Sequence, residues 1–345
     1  MKTVTVSASG TYEVRIGSGL LASLPHTLGQ VCKASKVAII SDSNVWPLYG
    51  DTLRENLSGA GYQVVNFVFP AGEESKTPQT YLEIVNFLAD CRLTRSDALI
   101  ALGGGVVGDM TGFAAATYLR GIPYIQIPTT LLAAVDSSVG GKTAIDLPAG
   151  KNLIGAFFQP KLVLCDTDTL HSLPEEIFRD GCAEVIKYGI LYDPALFNRL
   201  VQEGLAFHRE EVIARCVELK RDVVMEDEFD TGARMKLNLG HTIGHGVEAC
   251  SSFTLSHGKS VAIGMAIVAR SACDAPTRDA ILSILQQFGL PTAAPYSAEA
   301  LLGYALSDKK RSGGTVNLII PEKIGHCSIV PTPVDALQGF IQAGL

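Results

Sequence analysis

Five short apolar runs, separated by helical patterns, constrain the fold of this 345-residue chain more than any other feature. The runs are rich in Val, Ile, Leu and Phe, and they lie at residues 37–41, 64–69, 98–102, 124–128 and 162–166. Segments 44–60 and 77–92 between them have the apolar spacing of helices. This alternation is typical of βαβ units, so we predict a parallel sheet covered by helices.

After Pro174 the pattern becomes mostly helical, with few strand signals over residues 175–290. Two later apolar runs, V-N-L-I-I-P and H-C-S-I-V-P, are separated by E-K-I-G and predict one β-hairpin. We therefore predict an α/β domain over residues 1–174 and a mostly α-helical domain over residues 175–345.

Composition limits the classes of function. Hydrophobic residues make up 47% of the chain and charged residues 18%, which is typical of a globular protein. The net charge of −7 argues against binding to the phosphate backbone of nucleic acid, although it leaves room for a small anionic ligand. No run approaches the ~18 apolar residues of a membrane helix. Eight scattered cysteines without a C-x-x-C motif indicate reduced thiols, and thus a cytoplasmic protein.

A glycine-rich turn follows the third apolar run. Gly103, Gly105 and Gly108 form a G-x-G-x-x-G pattern that precedes a helical segment, as in turns that bind a pyrophosphate. The acidic residue expected about 20 positions later is missing. Asp42, which ends the first of the five runs, could contact a ribose instead. The alternative is a tight turn from strand to helix without any ligand.

Polar side chains and glycines crowd the stretch that follows residue 128. Two lysines and several hydroxyl groups in a glycine-rich loop suit a ligand that carries phosphate. Either lysine alone would more often be a solvated surface charge. The polar residues in question are Thr129, Thr130, Asp136, Lys142, Lys151 and Asn152.

Three histidines lie close together in the second half. His241 and His245 are four residues apart and would share one face of a helix, and His257 follows. Two of them with Glu184 would give three ligands and an open position, as catalytic zinc requires. The spacing does not say which histidine is spare, and a spare one could transfer protons. Glu184 could equally form an ion pair with Lys187.

Several long motifs of this chain resemble those of the 3-dehydroquinate synthase family, from about residue 4 to residue 340. They include G-G-G-V-V-G-D, I-P-T-T-L-L-A-A-V-D-S-S-V-G-G-K-T, R-D-G-C-A-E-V-I-K-Y-G and L-N-L-G-H-T-I-G-H. The resemblance implies a Rossmann-like α/β domain, a mostly α-helical second domain, and an active site between them. It also implies tightly bound NAD, one divalent metal ion (zinc or cobalt) and a homodimer.

The implied substrate is a small sugar phosphate, 3-deoxy-D-arabino-heptulosonate 7-phosphate, which is converted to 3-dehydroquinate and phosphate in the shikimate pathway of aromatic amino acid biosynthesis. The family's metal ligands correspond to Glu184, His241 and His257, which makes His245 the spare histidine. Because ligands must be deprotonated, activity is expected to fall at acid pH.

The resemblance also assigns residues to the cofactor and the substrate. The residues implied for NAD are Asp42, Glu73, Lys76, Gly105, Val106, Val107, Gly108, Asp109, Thr129, Thr130, Lys142, Lys151, Thr169, Leu170, His171 and Ser172. The residues implied for catalysis and substrate are Asp136, Lys142, Asn152, Lys187, Lys220, Arg234, Asn238, His245 and either Lys309 or Lys310. Arg120 is implied to reach the substrate phosphate of the neighbouring subunit.

Three other functions remain open at this point. A related sugar phosphate cyclase would share the NAD and metal residues but form another ring. A metal-dependent polyol dehydrogenase would consume NAD stoichiometrically. A nucleotide-binding sensor would use the same sheet but would need no open metal position.

Overall fold

The predicted sheet is present in the structure, a computed structural model that describes residues 1–252, 254–307 and 314–345. The strands of the first half are β1 (Lys2–Ser7), β2 (Thr11–Gly17), β3 (Lys36–Asp42), β4 (Gln63–Phe69), β5 (Ala98–Gly103), β6 (Tyr124–Pro128), β7 (Lys142–Leu147), β8 (Gly150–Phe157) and β9 (Leu162–Asp166). Seven of them form one sheet in the order β1-β2-β9-β6-β5-β3-β4. All neighbours in it are parallel except β1 and β2.

The described residues form two compact units. The first contains Met1–Pro174 and Arg209–Phe229, and the second contains Glu175–His208 and Asp230–Leu345. The helices are α1 (Leu24–Val31), α2 (Asp51–Gly59), α3 (Pro78–Asp90), α4 (Gly105–Thr117), α5 (Glu175–Tyr192), α6 (Pro194–Glu203), α7 (Arg209–Glu226), α8 (His241–Cys250), α9 (His257–Ala272), α10 (Ala275–Gln287), α11 (Ala298–Ser307) and α12 (Val334–Gly344). None of the described helices has both the length and the apolar composition of a membrane span.

Helices cover both faces of the sheet in the first unit. Successive side chains of a strand point to opposite faces, so Ala38 and Ile40 of β3 face one core while Val37 and Ile39 face the other. The first core contains apolar side chains of α3 and α4, and the second contains those of α1 and α2. The α/β prediction is therefore confirmed for this part of the chain.

Strand order locates the switch point of the sheet. From β3 the chain moves outward to β4, and it then returns to place β5 on the other side of β3. In parallel sheets, ligands bind beyond the carboxyl ends of the strands at such a point. Here those ends are Asp42 of β3 and Gly103 of β5.

Two features of the first unit differ from simple sequence expectations. Residues 142–157, which were predicted as part of a polar loop, form an antiparallel hairpin of β7 and β8. Much of β8 is exposed, so it lacks the apolar pattern that marks a buried strand. The second feature is α7, which contacts β1 and β2 although it follows two helices of the second unit.

The second unit is mostly helical, as predicted. Helix α5 is buried along much of its length, and it packs against α9, which in turn packs against α8. The predicted late hairpin is confirmed as β10 (Thr315–Lys323) and β11 (His326–Pro333). The α8–α9 pair carries all three histidines considered above.

Asp97 fixes the start of β5 relative to β3. Its carboxylate accepts hydrogen bonds from the Lys36 N–H at 2.9 Å and the Thr94 N–H at 2.7 Å. Burial disfavours the charge, but the hydrogen bonds from Thr94 and Lys36 outweigh it and lower the pKa of Asp97.

We expect Asp97→Ala to lower the free energy of unfolding by about 2–4 kcal/mol, because two backbone N–H groups lose a charged acceptor. Since the folded pKa is lowered, this contribution is present at neutral pH and is lost as the pH falls through that value. Urea unfolding at pH 7 and in acid measures both effects. Asp90→Ala, which removes an exposed carboxylate at the end of α3, is the control. Equal stability of the two variants at pH 7 would contradict the prediction.

Candidate active site

The glycine-rich turn begins α4 at the carboxyl edge of the sheet in the first unit. Gly103 ends β5, Gly104 is the N-cap, and α4 starts at Gly105. A Cβ on Gly103 would lie 2.5 Å from the Val107 side chain, so only glycine permits this tight passage from strand to helix. The N-terminal N–H groups of α4 thus face the edge where a phosphate would be stabilised.

Asp42 and the segment 169–172 lie at the same edge. One carboxylate oxygen of Asp42 accepts hydrogen bonds from the N–H groups of Asn44 and Val45, at 2.8 and 3.0 Å, which holds the side chain at the end of β3. The hydroxyl of Tyr49 contacts the Thr169 carbonyl and the Ser172 hydroxyl. Residues implied for NAD from distant parts of the sequence are therefore brought to one edge of the sheet.

Lys76 is the centre of a polar cluster in the first unit. It is 4% exposed, and its ammonium group lies 2.6 Å from an Asp109 carboxylate oxygen and 2.5 Å from the side-chain amide oxygen Oδ1 of Asn152. The backbone N–H of Asn152 in turn donates to Asp146, and Lys151 pairs with Glu73 at 3.4 Å. This cluster joins the start of α4 to the β7–β8 hairpin.

Asp136 and Lys220 form a second polar contact in this unit. Asp136 lies in a short π-helix, Ala133–Ser137, and Lys220 lies on α7. The Lys220 ammonium donates to the carbonyl of Asp136 at 2.7 Å and to its carboxylate at 2.8 Å. Because Lys220 is 5% exposed, this pair holds α7 and the π-helix together.

The second unit brings Glu184, His241 and His257 together. Glu184 is fully buried on α5, and its Oε1 lies 3.4 Å from the Nε2 of His241 and 3.2 Å from the Nε2 of His257. Its Oε2 is in contact with the ammonium group of Lys187, one turn further along α5. The spacing left open which two histidines join Glu184, and the structure brings His241 and His257 to it, the two that the family resemblance implied.

Opposed charges set the ionisation of this cluster. Burial disfavours the Glu184 charge, but Lys187, His241 and His257 outweigh it and hold its pKa well below the ordinary value. Burial and Lys187 lower the pKa of His241. Burial also acts against a charged His257, but Glu184 and Glu248 outweigh it and raise its pKa to about 10.

These residues fit a divalent cation. Among the described residues, Glu184, His241 and His257 are the group whose ligand atoms lie within 4.8 Å of one another. One carboxylate and two imidazoles match the donor set of a catalytic zinc site. A cation would compensate the buried carboxylate charge, and binding would require His257 to lose its proton.

Four further sets of expected residues lie elsewhere in the chain. His245 lies one turn after His241 on α8 with its ring exposed and 5.7 Å from that of His241, centroid to centroid. Arg234 and Asn238 lie on a short 3₁₀ helix, Ala233–Asn238, that contacts α5. Arg120 lies between α4 and β6, which is the opposite edge of the sheet from Gly105. Lys309 and Lys310 lie outside the described residues.

Comparisons with known proteins identify the family of this chain. A family model described as 3-dehydroquinate synthase N-terminal matches residues 66–180, and one described as 3-dehydroquinate synthase C-terminal matches residues 181–311. A 3-dehydroquinate synthase from Acaryochloris marina is 44% identical, over 96% of this chain and 96% of its own length. The chain belongs to the 3-dehydroquinate synthase family.

Two solved structures share the fold. A crystal structure of 2-deoxy-scyllo-inosose synthase, complexed with carbaglucose-6-phosphate, NAD⁺ and Co²⁺, has a TM-score of 0.90 and 25% identity and covers 100% of both chains. The 2-epi-5-epi-valiolone synthase from Streptomyces hygroscopicus, with NAD⁺ and Zn²⁺ bound, has a TM-score of 0.89 and 28% identity. It covers 99% of this chain and 97% of its own. The predicted dehydroquinate synthase-like fold is confirmed.

The sequence analysis assigned no specific role to Glu248. Glu248 is 3% exposed, and its carboxylate lies 3.6 Å from the Nδ1 of His257. It follows His241 and His245 on α8 at helical spacing, so the sequence could have indicated a shared face. The local sequence pattern does not predict that Glu248 lies close to His257, because His257 is on another helix.

We expect Lys76→Met to lower the free energy of unfolding by about 2–4 kcal/mol, because the Asp109 carboxylate loses its counter-charge. Burial disfavours the Lys76 charge, but Asp109 and Glu73 outweigh it and raise the pKa of Lys76. The stability from this pairing is therefore present at neutral pH and is lost as the pH rises through the raised value.

Urea unfolding of the wild-type protein and the Lys76→Met variant, from neutral to strongly alkaline pH, measures the difference in their free energies of unfolding. Lys33→Met, which removes an exposed lysine, should match the wild-type protein throughout. A Lys76→Met variant as stable as Lys33→Met at pH 7 would show that the cluster contributes nothing.

Proposed function

We propose that this chain is a 3-dehydroquinate synthase, a carbon–oxygen lyase that converts 3-deoxy-D-arabino-heptulosonate 7-phosphate to 3-dehydroquinate and inorganic phosphate. The observation that carries this proposal is the cluster of Glu184, His241 and His257, in a chain 44% identical to an enzyme of that name. The reaction belongs to the shikimate pathway and leads to aromatic amino acids.

Two groups would supply chemistry that the side chains lack. When bound, a divalent cation acts as a Lewis acid on a substrate hydroxyl, and NAD accepts a hydride and returns it, so there is no net redox change. We propose zinc or cobalt at Glu184, His241 and His257. Two structural neighbours support this, one with NAD⁺ and Co²⁺ bound and the other with NAD⁺ and Zn²⁺ bound.

The carboxyl edge of the sheet in the first unit would hold NAD. We propose that the pyrophosphate lies against the N-terminus of α4, at Gly105 to Asp109, and that Asp42 contacts a ribose. Thr129 and Thr130 follow β6 at the same edge and would add hydroxyl contacts. Glu73 and Lys76 would complete the site, although Lys76 also pairs with Asp109 within the protein.

Cationic and amide side chains would hold the charged ends of the substrate. We propose Lys142, Asn152, Lys187 and Arg234 for its phosphate and carboxylate, since a fixed pose lets several steps follow without release. Asp136, Lys220 and Asn238 are proposed for its hydroxyl groups and carboxylate. The exposed ring of His245 would move protons between substrate atoms and solvent.

We also propose a homodimer in the cytoplasm. Arg120 lies at the opposite edge of its own sheet from Gly105, so a role at the substrate phosphate requires the neighbouring subunit. Leu153, Ile154 and Phe157 of β8 are 39–48% exposed, which suits a strand that a second copy covers. All eight cysteines are free, in agreement with a reducing compartment.

The reaction itself is the first test. Incubation with the heptulosonate phosphate, NAD and zinc should release one phosphate for each 3-dehydroquinate formed, without a lasting absorbance change at the NADH wavelength. A related cyclase would instead release phosphate from a different sugar phosphate. Stoichiometric NADH formation would indicate a polyol dehydrogenase and would contradict the proposal.

The metal assignment has its own test. We expect His257→Ala to lose at least 100-fold in zinc affinity and in turnover, because two ligands replace three. NAD binding should persist, since its proposed residues lie in the first unit. Competition with a chelator measures the zinc affinity, and titration of the protein's tryptophan fluorescence with NAD measures NAD binding. His26→Ala, which removes an exposed histidine of the first unit, is the control. Unchanged zinc content in His257→Ala would refute the assignment.

A further inference from the structure

Both imidazoles of the cluster present the same nitrogen to Glu184. The Nε2 atoms of His241 and His257 lie 3.4 and 3.2 Å from its Oε1, so each Nδ1 faces away from the cluster. A histidine that binds a metal through Nε2 must carry its proton on Nδ1. The group that accepts this proton sets the tautomer and the direction of the ring.

Each Nδ1 has an oxygen acceptor next to it. The Nδ1 of His241 lies 3.1 Å from the carbonyl oxygen of Leu239, which belongs to the same local segment. The Nδ1 of His257 lies 3.6 Å from the Oε1 of Glu248, which belongs to α8 rather than α9. The second distance is that of an ion pair rather than a short hydrogen bond. The oxygen beside the Nδ1 of His257 thus belongs to a different helix.

The burial of Glu248 supports such a role. Its side chain is 4% exposed, and a buried carboxylate costs several kcal/mol unless a partner compensates its charge. Helical spacing places it on the face of α8 that also carries His241 and His245. One face of α8 therefore supplies a ring of the cluster and, two turns later, a carboxylate that contacts the other ring.

A second carboxylate holds the first turn of α9, on both sides of His257. His257 is the first residue of α9, and Ser256 is the N-cap. The Oδ1 of Asp180 accepts hydrogen bonds from the Ser256 hydroxyl at 2.5 Å and from the Lys259 N–H at 2.9 Å. Asp180 thereby caps α9 from outside, in the way that a capping side chain normally does from within the helix.

Close packing leaves little freedom at this point. A Cβ on Gly258 would lie 1.9 Å from the carbonyl oxygen of Asp180, so only glycine lets α9 begin here against α5. Asp180 also lies one turn before Glu184 on α5. Helix α5 therefore carries the proposed metal ligand Glu184 and also Asp180, which fixes the start of α9, where the proposed ligand His257 lies.

We propose that Glu248 and Asp180 are positioning residues for the metal site: Glu248 orients the His257 ring through Nδ1, and Asp180 fixes the first turn of α9, which carries His257. The inference rests on the proposed metal site. Neither residue is a metal ligand, so their substitution should weaken metal binding without abolishing it. Outer partners of this kind typically change metal affinity by about 10–100-fold.

Zinc affinity of the metal-free protein, measured by competition with a chromogenic chelator, tests the role of Glu248. We expect Glu248→Ala to bind zinc about 10–100-fold more weakly than wild type. Glu248→Gln, whose amide oxygen can still accept the Nδ1–H, should recover most of the affinity. The visible spectrum of the cobalt-loaded proteins should change for Glu248→Ala more than for Glu248→Gln, because it reports ligand geometry. Glu299→Ala, which removes an exposed carboxylate of the same unit, is the control.

Asp180 is tested in the same way. Asp180→Ala should weaken zinc binding, and Asp180→Asn, which keeps an oxygen acceptor, should restore it. Urea unfolding of each metal-free variant identifies any that fail to fold. If an alanine variant does not fold, the zinc affinity of Glu248→Gln or Asp180→Asn tests the role of that residue instead.

Wild-type zinc affinity in a folded Glu248→Ala variant would overturn the role of Glu248, while the metal site would stand. Wild-type affinity in a folded Asp180→Ala variant would do the same for Asp180. Absence of zinc binding by the wild-type protein would overturn the proposed metal site, and this inference with it.

Discussion

The buried charge of Glu184 is the constraint on which the second unit depends. A carboxylate with no exposed surface would cost several kcal/mol if nothing compensated it. Lys187 contacts one of its oxygens, and the Nε2 atoms of His241 and His257 approach the other. Three helices must therefore converge on a single side chain. The same convergence creates a set of ligands suited to a divalent cation, so charge compensation and the proposed catalytic chemistry share one physical origin.

The first unit solves a different problem, which is to present backbone N–H groups to an anion. The switch point between β3 and β5 places Asp42 beside the start of α4. Buried lysines then join neighbouring segments: Lys76 joins α4 to a hairpin, and Lys220 joins α7 to the π-helix of Asp136. These contacts form within the protein and hold the polar side chains in place before a ligand arrives, which reduces the cost of binding.

Local sequence patterns predicted the strands and helices better than they predicted which of these elements pack against each other. The five buried strands were recognisable because apolar runs in a parallel sheet are short and end in turn residues. The β7–β8 hairpin was not, because much of β8 is exposed and has no apolar alternation. The apolar positions of α7 show that one face is buried, but they do not say that this face packs against β1 and β2. Helix formation depends on neighbours in sequence, whereas the choice of packing partner depends on the whole chain.

The sequence by itself determined the α/β and helical halves, the glycine turn, the family, and the spacing that puts His241, His245 and Glu248 on one face of α8. These properties follow from periodicity and from residues close in the chain. The family resemblance implied which two histidines meet Glu184, but only the tertiary structure shows how they do so, because the close approach of α9 to α5 at Gly258 brings His257 to it. The tertiary structure also decided that the Nδ1 of His257 faces Glu248. Such contacts join residues that are distant in sequence, and no local pattern encodes them.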